Sequence, residues 1–121
     1  EEGLVVPVLQ DADKLSLDEI SIKVKELAEK ARNKKLLNKD LENRTITISS
    51  LGKLGGLAFT PIINPPDVAI ISMSKTHKRL VLAEELDIMP IAMSYDHRVI
   101  NGADAGRFMV FLKDILDNFN D

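Results

Sequence analysis

Three side chains in this sequence have chemistry suited to moving a proton or steadying a charge. They are His97 in "SYDHRVING", Ser49 in "RTITISS", and Asn101, which follows the histidine in the same short stretch. An unperturbed imidazole titrates at about 6.5, so it can take and return a proton near neutrality. A hydroxyl on a strand can donate to a developing oxyanion. A carboxamide both accepts and donates. Each also has a plainer role. His97 sits where a strand pattern gives way to a helix pattern, and strand-end histidines are often simple surface residues. Ser49 shares a strand face with Thr47 and precedes a glycine loop, a common setting for a solvent-facing serine. Asn101 is placed to cap the helix that follows. Asp96 and Arg98 flank His97; in an extended segment both point away from it, so salt bridges elsewhere are the expected role. The second histidine, His77 in "SKTHKR", has charged neighbours and no comparable setting.

Composition narrows the chemistry. The chain has 121 residues, no cysteine, two histidines and a formal charge of -3. Without cysteine there is no disulfide, thiolate nucleophile or cysteine-ligated metal. The two histidines lack a ligand spacing, and no metal is expected. There is no long basic tract, so nucleic acid is not an expected partner. No apolar run reaches the roughly 18 residues of a membrane span, and no signal peptide is recognisable. The glycines of "LGKLGG" lack the lysine of a phosphate loop, and no G-x-S-x-G elbow is present. The chain begins with Glu1 and runs almost directly into a strand pattern, which predicts a piece cut from a longer protein.

The elements that would position these residues alternate between two periods. "GLVVPVL", Gly3 to Leu9, reads as a strand, with Pro7 favouring an edge or bulge. A helix follows: Ser16 and Glu19 form a capping box, and Leu17, Ile20, Val24, Leu27 and Ala31 recur at helical spacing. Glu26 and Lys30 are spaced to pair on its wet side. In Arg44 to Ser50, Ile46 and Ile48 share one face, and Thr45, Thr47 and Ser49 the other. The proline-rich "FTPIINPP" reads as a structured loop. "DVAIISMS" is nearly continuous in apolar character and predicts a central strand. "KRLVLA" and "LDIMPIAMSY" predict two more strands, antiparallel across "EEL", with Pro90 favouring an edge or bulge. A broad apolar face from Ala105 through Phe108, Phe111, Ile115 and Phe119 predicts a closing helix capped by Asn101. The order is β-α-β-β-β-β-α: an α/β chain with a mixed sheet covered by helices.

Three stretches, in order, resemble the catalytic domain of the dihydrolipoamide acyltransferases, the E2 components of 2-oxo acid dehydrogenase complexes. They are "GLVVPVLQDADKLSLDEI", "ITISSLGKLGGLAFTPIINPPDVAII" and "SYDHRVINGADAGRF". The resemblance spans nearly the whole chain. It implies a two-layer sandwich similar to chloramphenicol acetyltransferase, with residues 1–121 forming only the C-terminal half of that domain. It also implies the chemistry, transfer of an acyl group between dihydrolipoamide and coenzyme A. The family's general base falls on His97, its oxyanion-binding hydroxyl on Ser49, and a residue supporting the site on Asn101, a position often held by aspartate. Gly102 would let the chain turn from strand to helix. Coenzyme A is expected as a substrate, with no assigned binding residues, and the lipoyl group as a substrate carried on a domain outside this chain.

The resemblance further implies a homotrimer with each site between subunits, so that His97 of one chain faces Ser49 of a neighbour. Trimers would build a cubic or dodecahedral core, of twenty-four or sixty subunits. The E1 and E3 components would bind through domains outside this chain. The expected location is the cytoplasm in a bacterium, or the mitochondrial matrix otherwise. Acetyl transfer for pyruvate is favoured. Branched-chain transfer stays open, and succinyl transfer is less expected because that branch more often has threonine at the position of Ser49. Two other readings remain: an assembly core without catalysis, and a coenzyme A acyltransferase with a non-lipoyl acceptor, against which "FTPIINPP" and "DHRVING" argue.

Overall fold

The computed structural model of the chain describes residues 3–54 and 56–119. The chain divides into two units, Glu1–Thr45 and Ile46–Asp121.

The first unit is built on helix α1, Leu17–Arg32. Its start follows the predicted capping box. The Glu19 amide donates to Ser16 Oγ at 3.3 Å, and the Ser16 amide donates to Glu19 Oε2 at 2.8 Å. Two of the helix's unpaired amides are thereby satisfied. The bond from the Ser16 backbone also holds the Glu19 carboxyl below its usual range. Beyond the helix, a short turn at Asn38–Asp40 buries Asp40. That carboxylate accepts the Leu37 amide at 2.9 Å, and its Oδ1 lies 3.8 Å from Lys30 Nζ. Lys30 therefore pairs with Asp40 rather than with the expected Glu26. The segment Gly3–Leu9 is not a strand. Val8 donates to the Asp40 carbonyl at 2.7 Å, with no ladder of further bonds. β-Propensity describes fit to a sheet, and among the described residues no neighbouring strand pairs with the segment.

The second unit holds a three-stranded mixed sheet in the order β1-β2-β5: β1 (Thr47–Ser50), β2 (Ala69–Met73) and β5 (Ile91–Tyr95). β1 runs parallel to β2, and β5 antiparallel to it. The predicted central strand is central. Ala69, Ile70, Ile71 and Ser72 are buried. A separate hairpin joins β3 (His77–Val81) to β4 (Glu84–Ile88). The single strand expected over "LDIMPIAMSY" is divided between β4 and β5. Pro90 has no amide to donate, and its carbonyl instead accepts the Ser74 amide at 3.0 Å. The hairpin turns through Leu82 and Ala83, both in the left-handed region at φ 50° and 68°.

Helix α2, Gly102–Asp117, lies over one face of the sheet. Ala105 and Phe108 from the helix, with Ile46, Ala69 and Met93 from the sheet, line a crevice of ≈ 320 Å³. The opposite face carries Thr47, Ser49, Ile70, Ser72, Ala92 and Ser94, by the register of the strands. The connection from β1 to β2 crosses that face, as parallel neighbours require. It is a loop, pinned by two serines. Ser72 Oγ donates to the Phe59 carbonyl at 3.1 Å, and Ser94 Oγ to the Pro61 carbonyl at 2.6 Å. The proline stretch is therefore structured, as expected. Of "LGKLGG", Gly52–Leu54 forms a short turn, Gly52 has φ 51°, and Gly55 lies outside the described residues.

Candidate active site

His97 sits on the turn that joins β5 to α2. The turn is closed by the Val99 and Ile100 amides, which both donate to the Asp96 carbonyl at 3.0 and 2.9 Å. Asp96 in turn is tied to the sheet, donating its amide to the Val68 carbonyl at 2.8 Å. Its carboxylate grips Arg98 from three directions. The Arg98 amide and Nε donate to Oδ1, each at 3.0 Å, and Nη2 donates to Oδ2 at 2.7 Å. The guanidinium bonds hold the Asp96 carboxyl down to about 2, and the same pairing pushes Arg98 up. Asp96 and Arg98 thus bridge across His97. The expected role was salt bridges elsewhere, both side chains lying on the face away from His97; the turn pairs them with each other instead.

This geometry leaves the His97 ring exposed. Its aromatic neighbour is Tyr95, with ring centroids 5.7 Å apart and planes tilted by 38°. Asn101 caps α2 as expected. Its Oδ1 accepts the Asp104 amide at 2.9 Å, and its Nδ2 donates to Asp104 Oδ2 at 2.6 Å. The cap fixes where the helix begins, and so where the turn carrying His97 must end. Gly102 opens the helix without a left-handed φ. A Cβ there would meet Tyr95 Oη at 3.6 Å, ordinary contact, so the turn does not demand glycine.

Ser49 is on the hydroxyl face of β1, half-buried, with the buried Thr47 two residues before it. Thr47 Oγ1 donates to Asp67 Oδ2 at 2.6 Å. Among the described residues, no hydrogen bond engages the Ser49 hydroxyl. It is available to donate to a group that is not part of the chain.

The strand register separates Ser49 from His97. Ser49 pairs with Ser72, which pairs with Ala92, three residues before Tyr95 on β5. With about 3.4 Å per residue and about 4.8 Å per strand, the Ser49 and Tyr95 backbones lie roughly 14 Å apart. His97 is farther along still, beyond the end of β5. One chain therefore brings His97 and Asn101 to one end of the sheet and leaves Ser49 toward the other. His77 belongs to neither place. It opens β3 opposite Ile88 in the separate hairpin, with Nδ1 buried and unpartnered among the described residues.

The sequence reading missed the groups that hold the site in shape: the Asp96–Arg98 bridge, Tyr95, Asp67, and the serines Ser72 and Ser94. Ser72 and Ser94 each occupy an apolar-looking strand, where a lone hydroxyl must find an acceptor when buried. That was the available signal.

The family model for the 2-oxoacid dehydrogenases acyltransferase catalytic domain matches residues 1–121. The chain belongs to the 2-oxoacid dehydrogenase acyltransferases. Within that family, it is 46% identical in sequence to the Azotobacter vinelandii dihydrolipoamide acetyltransferase, in a crystal structure made to investigate the catalytic roles of a serine, a histidine and an asparagine. The TM-score is 0.92, over 96% of this chain and 49% of that one. The cubic core of a pyruvate dehydrogenase multienzyme complex also superimposes at TM-score 0.92, with 47% identity and coverage of 96% and 49%. The succinyltransferase component of the 2-oxoglutarate dehydrogenase complex of Buchnera aphidicola subsp. Baizongia pistaciae is 43% identical, over 98% of this chain and 30% of its own length. The fold is that of the E2 acyltransferase catalytic cores, a mixed α/β sheet with two helices. This chain spans about half of those solved chains and a smaller share of the curated relatives, 19% in one and 31% in another.

Proposed function

We propose that residues 1–121 are the C-terminal half of an E2 acyltransferase domain whose full-length protein transfers an acyl group between dihydrolipoamide and coenzyme A. One observation carries the reading. An exposed imidazole stands on a turn braced by Asp96 and Arg98, with Asn101 four residues on, and the A. vinelandii relative has its investigated histidine and asparagine at the same spacing.

The chemistry follows from the groups available. In the proposed reaction both sulfur atoms belong to the substrates, dihydrolipoamide and coenzyme A, and this chain contributes no cysteine. His97 takes the proton from the incoming thiol. The thiolate sulfur forms a bond to the thioester carbonyl carbon, and the carbonyl electrons move to oxygen. The Ser49 hydroxyl donates to that oxyanion. When the oxyanion collapses, the original carbon–sulfur bond breaks, and the imidazolium returns the proton to the departing sulfur. Asn101 holds the helix start beside the base. Because the register keeps His97 and Ser49 apart within a chain, this mechanism takes them from different subunits. That is the arrangement of a homotrimer with its sites between chains. A relative with a cubic core supports further assembly into such a core, with E1 and E3 engaged through other parts of the protein.

Ser49 favours the acetyl reaction of a pyruvate complex, since the succinyl branch more often has threonine at that position. No described helix is long and apolar enough to cross a membrane. In a bacterium the enzyme would work in the cytoplasm. The separation of His97 from Ser49 also favours a second reading for the isolated chain, that of an assembly piece without activity of its own.

The test is acyl transfer by the full-length protein, wild type against His97→Ala. General-base loss typically costs 10²- to 10⁴-fold, so kcat should fall by at least about 10²-fold with assembly intact. An unchanged rate would remove His97 from the mechanism.

A further inference from the structure

The loop crossing the hydroxyl face is held by two serines, Ser72 buried and Ser94 half-buried, that the acyl-transfer chemistry does not use. Ser72 is 1% exposed, and its hydroxyl is shared between the Phe59 carbonyl at 3.1 Å and the Ala92 carbonyl at 3.4 Å. Ser94, one strand over, donates to the Pro61 carbonyl at 2.6 Å. Pro61 is buried beneath this contact. Both bonds run from a strand hydroxyl to a loop carbonyl, so they fix the loop's backbone rather than one of its side chains.

Register makes the placement specific. Ser72 is the direct partner of Ser49 on the neighbouring strand, and the two side chains share a face. The loop backbone at Phe59 therefore lies beside Ser49, held by the residue next to it. Following the chain from Pro61 to Phe59 crosses the face diagonally, from β5 to β2, toward the strand that carries Ser49. On the reading that Ser49 binds the thioester oxyanion, the acyl substituent on that same carbonyl carbon must sit within a few ångströms of it.

We infer that Ser72 and Ser94 are positioning residues that clamp the Phe59–Pro61 segment as a wall beside Ser49, and that this wall limits the size of the acyl group. The inference rests on the assignment of Ser49. Neither serine touches substrate. Each acts through the loop carbonyl it holds. Removing a hydroxyl leaves that carbonyl without its partner and frees the wall to move outward. A larger acyl group is then admitted at less cost, while acetyl, which does not press on the wall, is affected little.

The experiment uses the full-length protein with dihydrolipoamide and either acetyl-CoA or isobutyryl-CoA. Ser72→Ala, Ser94→Ala and the double variant are compared with wild type through the ratio of kcat/KM for the two donors. The loss of one such bond should shift that ratio toward isobutyryl by about 3- to 10-fold, with kcat for acetyl within about 3-fold of wild type. General misfolding lowers the active fraction for both donors alike and leaves the ratio unmoved. An unmoved ratio in the double variant, whatever its total activity, overturns the inference. Ser49→Ala is measured in parallel. A large loss of kcat for both donors supports the oxyanion role, and an unchanged kcat overturns that role separately from the clamp.

Discussion

Asp96 shapes the turn that carries His97, the base of the proposed mechanism. Its carboxylate holds the Arg98 amide and guanidinium while its carbonyl closes the turn, so the backbone on both sides of His97 is fixed. The carboxyl is held down to about 2 in the folded protein from an ordinary value of 3.8. A depressed carboxyl stabilises the fold above its unfolded value and loses that contribution as pH falls toward its folded value. The turn should therefore stay ordered at neutral and mildly acid pH and loosen only between about pH 4 and pH 2. In Asp96→Asn the acid transition should vanish, with a less ordered turn at every pH. Amide chemical shifts of Arg98 through Ile100 across an acid titration check this; identical titrations of the two proteins would contradict it. The placement of His97 just before a helix capped by Asn101 was legible in the sequence, because both lie in one contiguous motif with a helix-capping pattern. The bridge over His97 was not, because an extended segment puts both side chains on one face without bringing them into contact, and only the turn closes the gap.

At the scale of the element, alternation told which residues share a strand face but not which face is covered. Ile46 and Ile48 share one face and Thr47 and Ser49 the other; Ile48 is 60% exposed while Thr47 is buried against Asp67. The loop between β1 and β2 covers the hydroxyl side, and that is a fact of connection rather than of periodicity. The starts of the two helices were legible, since N-caps and apolar stripes are local signals. The strand misread at Gly3–Leu9 needed a partner from elsewhere, which no local signal supplies. The β3–β4 hairpin carries a different kind of tension. Its two-residue turn puts Leu82 and Ala83 at positive φ, a geometry that suits Asn-Gly. Leu82 is 96% exposed, so its side chain gains nothing in return. Replacing the pair, Leu82→Asn with Ala83→Gly, should stabilise the hairpin by about 1 kcal/mol. Hydrogen exchange at the cross-strand amides would then slow by about 5-fold. Unchanged exchange would show that the turn is relaxed as it stands.

At the scale of the whole molecule, little of the second unit's apolar surface is covered by the chain itself. Among the described residues, its buried aliphatic side chains are Ala69, Ile70, Ile71 and Ala105, with Pro61 on the loop, while Phe108, Phe111, Ile115 and Phe119 along and just beyond α2 remain exposed. Surfaces of this kind mark interfaces. They accord with a chain that spans half of its solved relatives and, on the proposed reading, is completed by the rest of its domain and by neighbouring subunits. The register that parts Ser49 from His97 then has a genetic consequence. Two inactive alleles, one lacking the base and the other the hydroxyl, should rescue each other. In a closed ring of three, any mixture of His97→Ala and Ser49→Ala chains contains one junction where an intact histidine meets an intact serine. Co-expression at equal levels with random assembly should restore about one quarter of wild-type activity, where each allele alone restores almost none. Failure of the pair to complement, with mixed trimers demonstrated by mass, would place both residues in the service of a single chain.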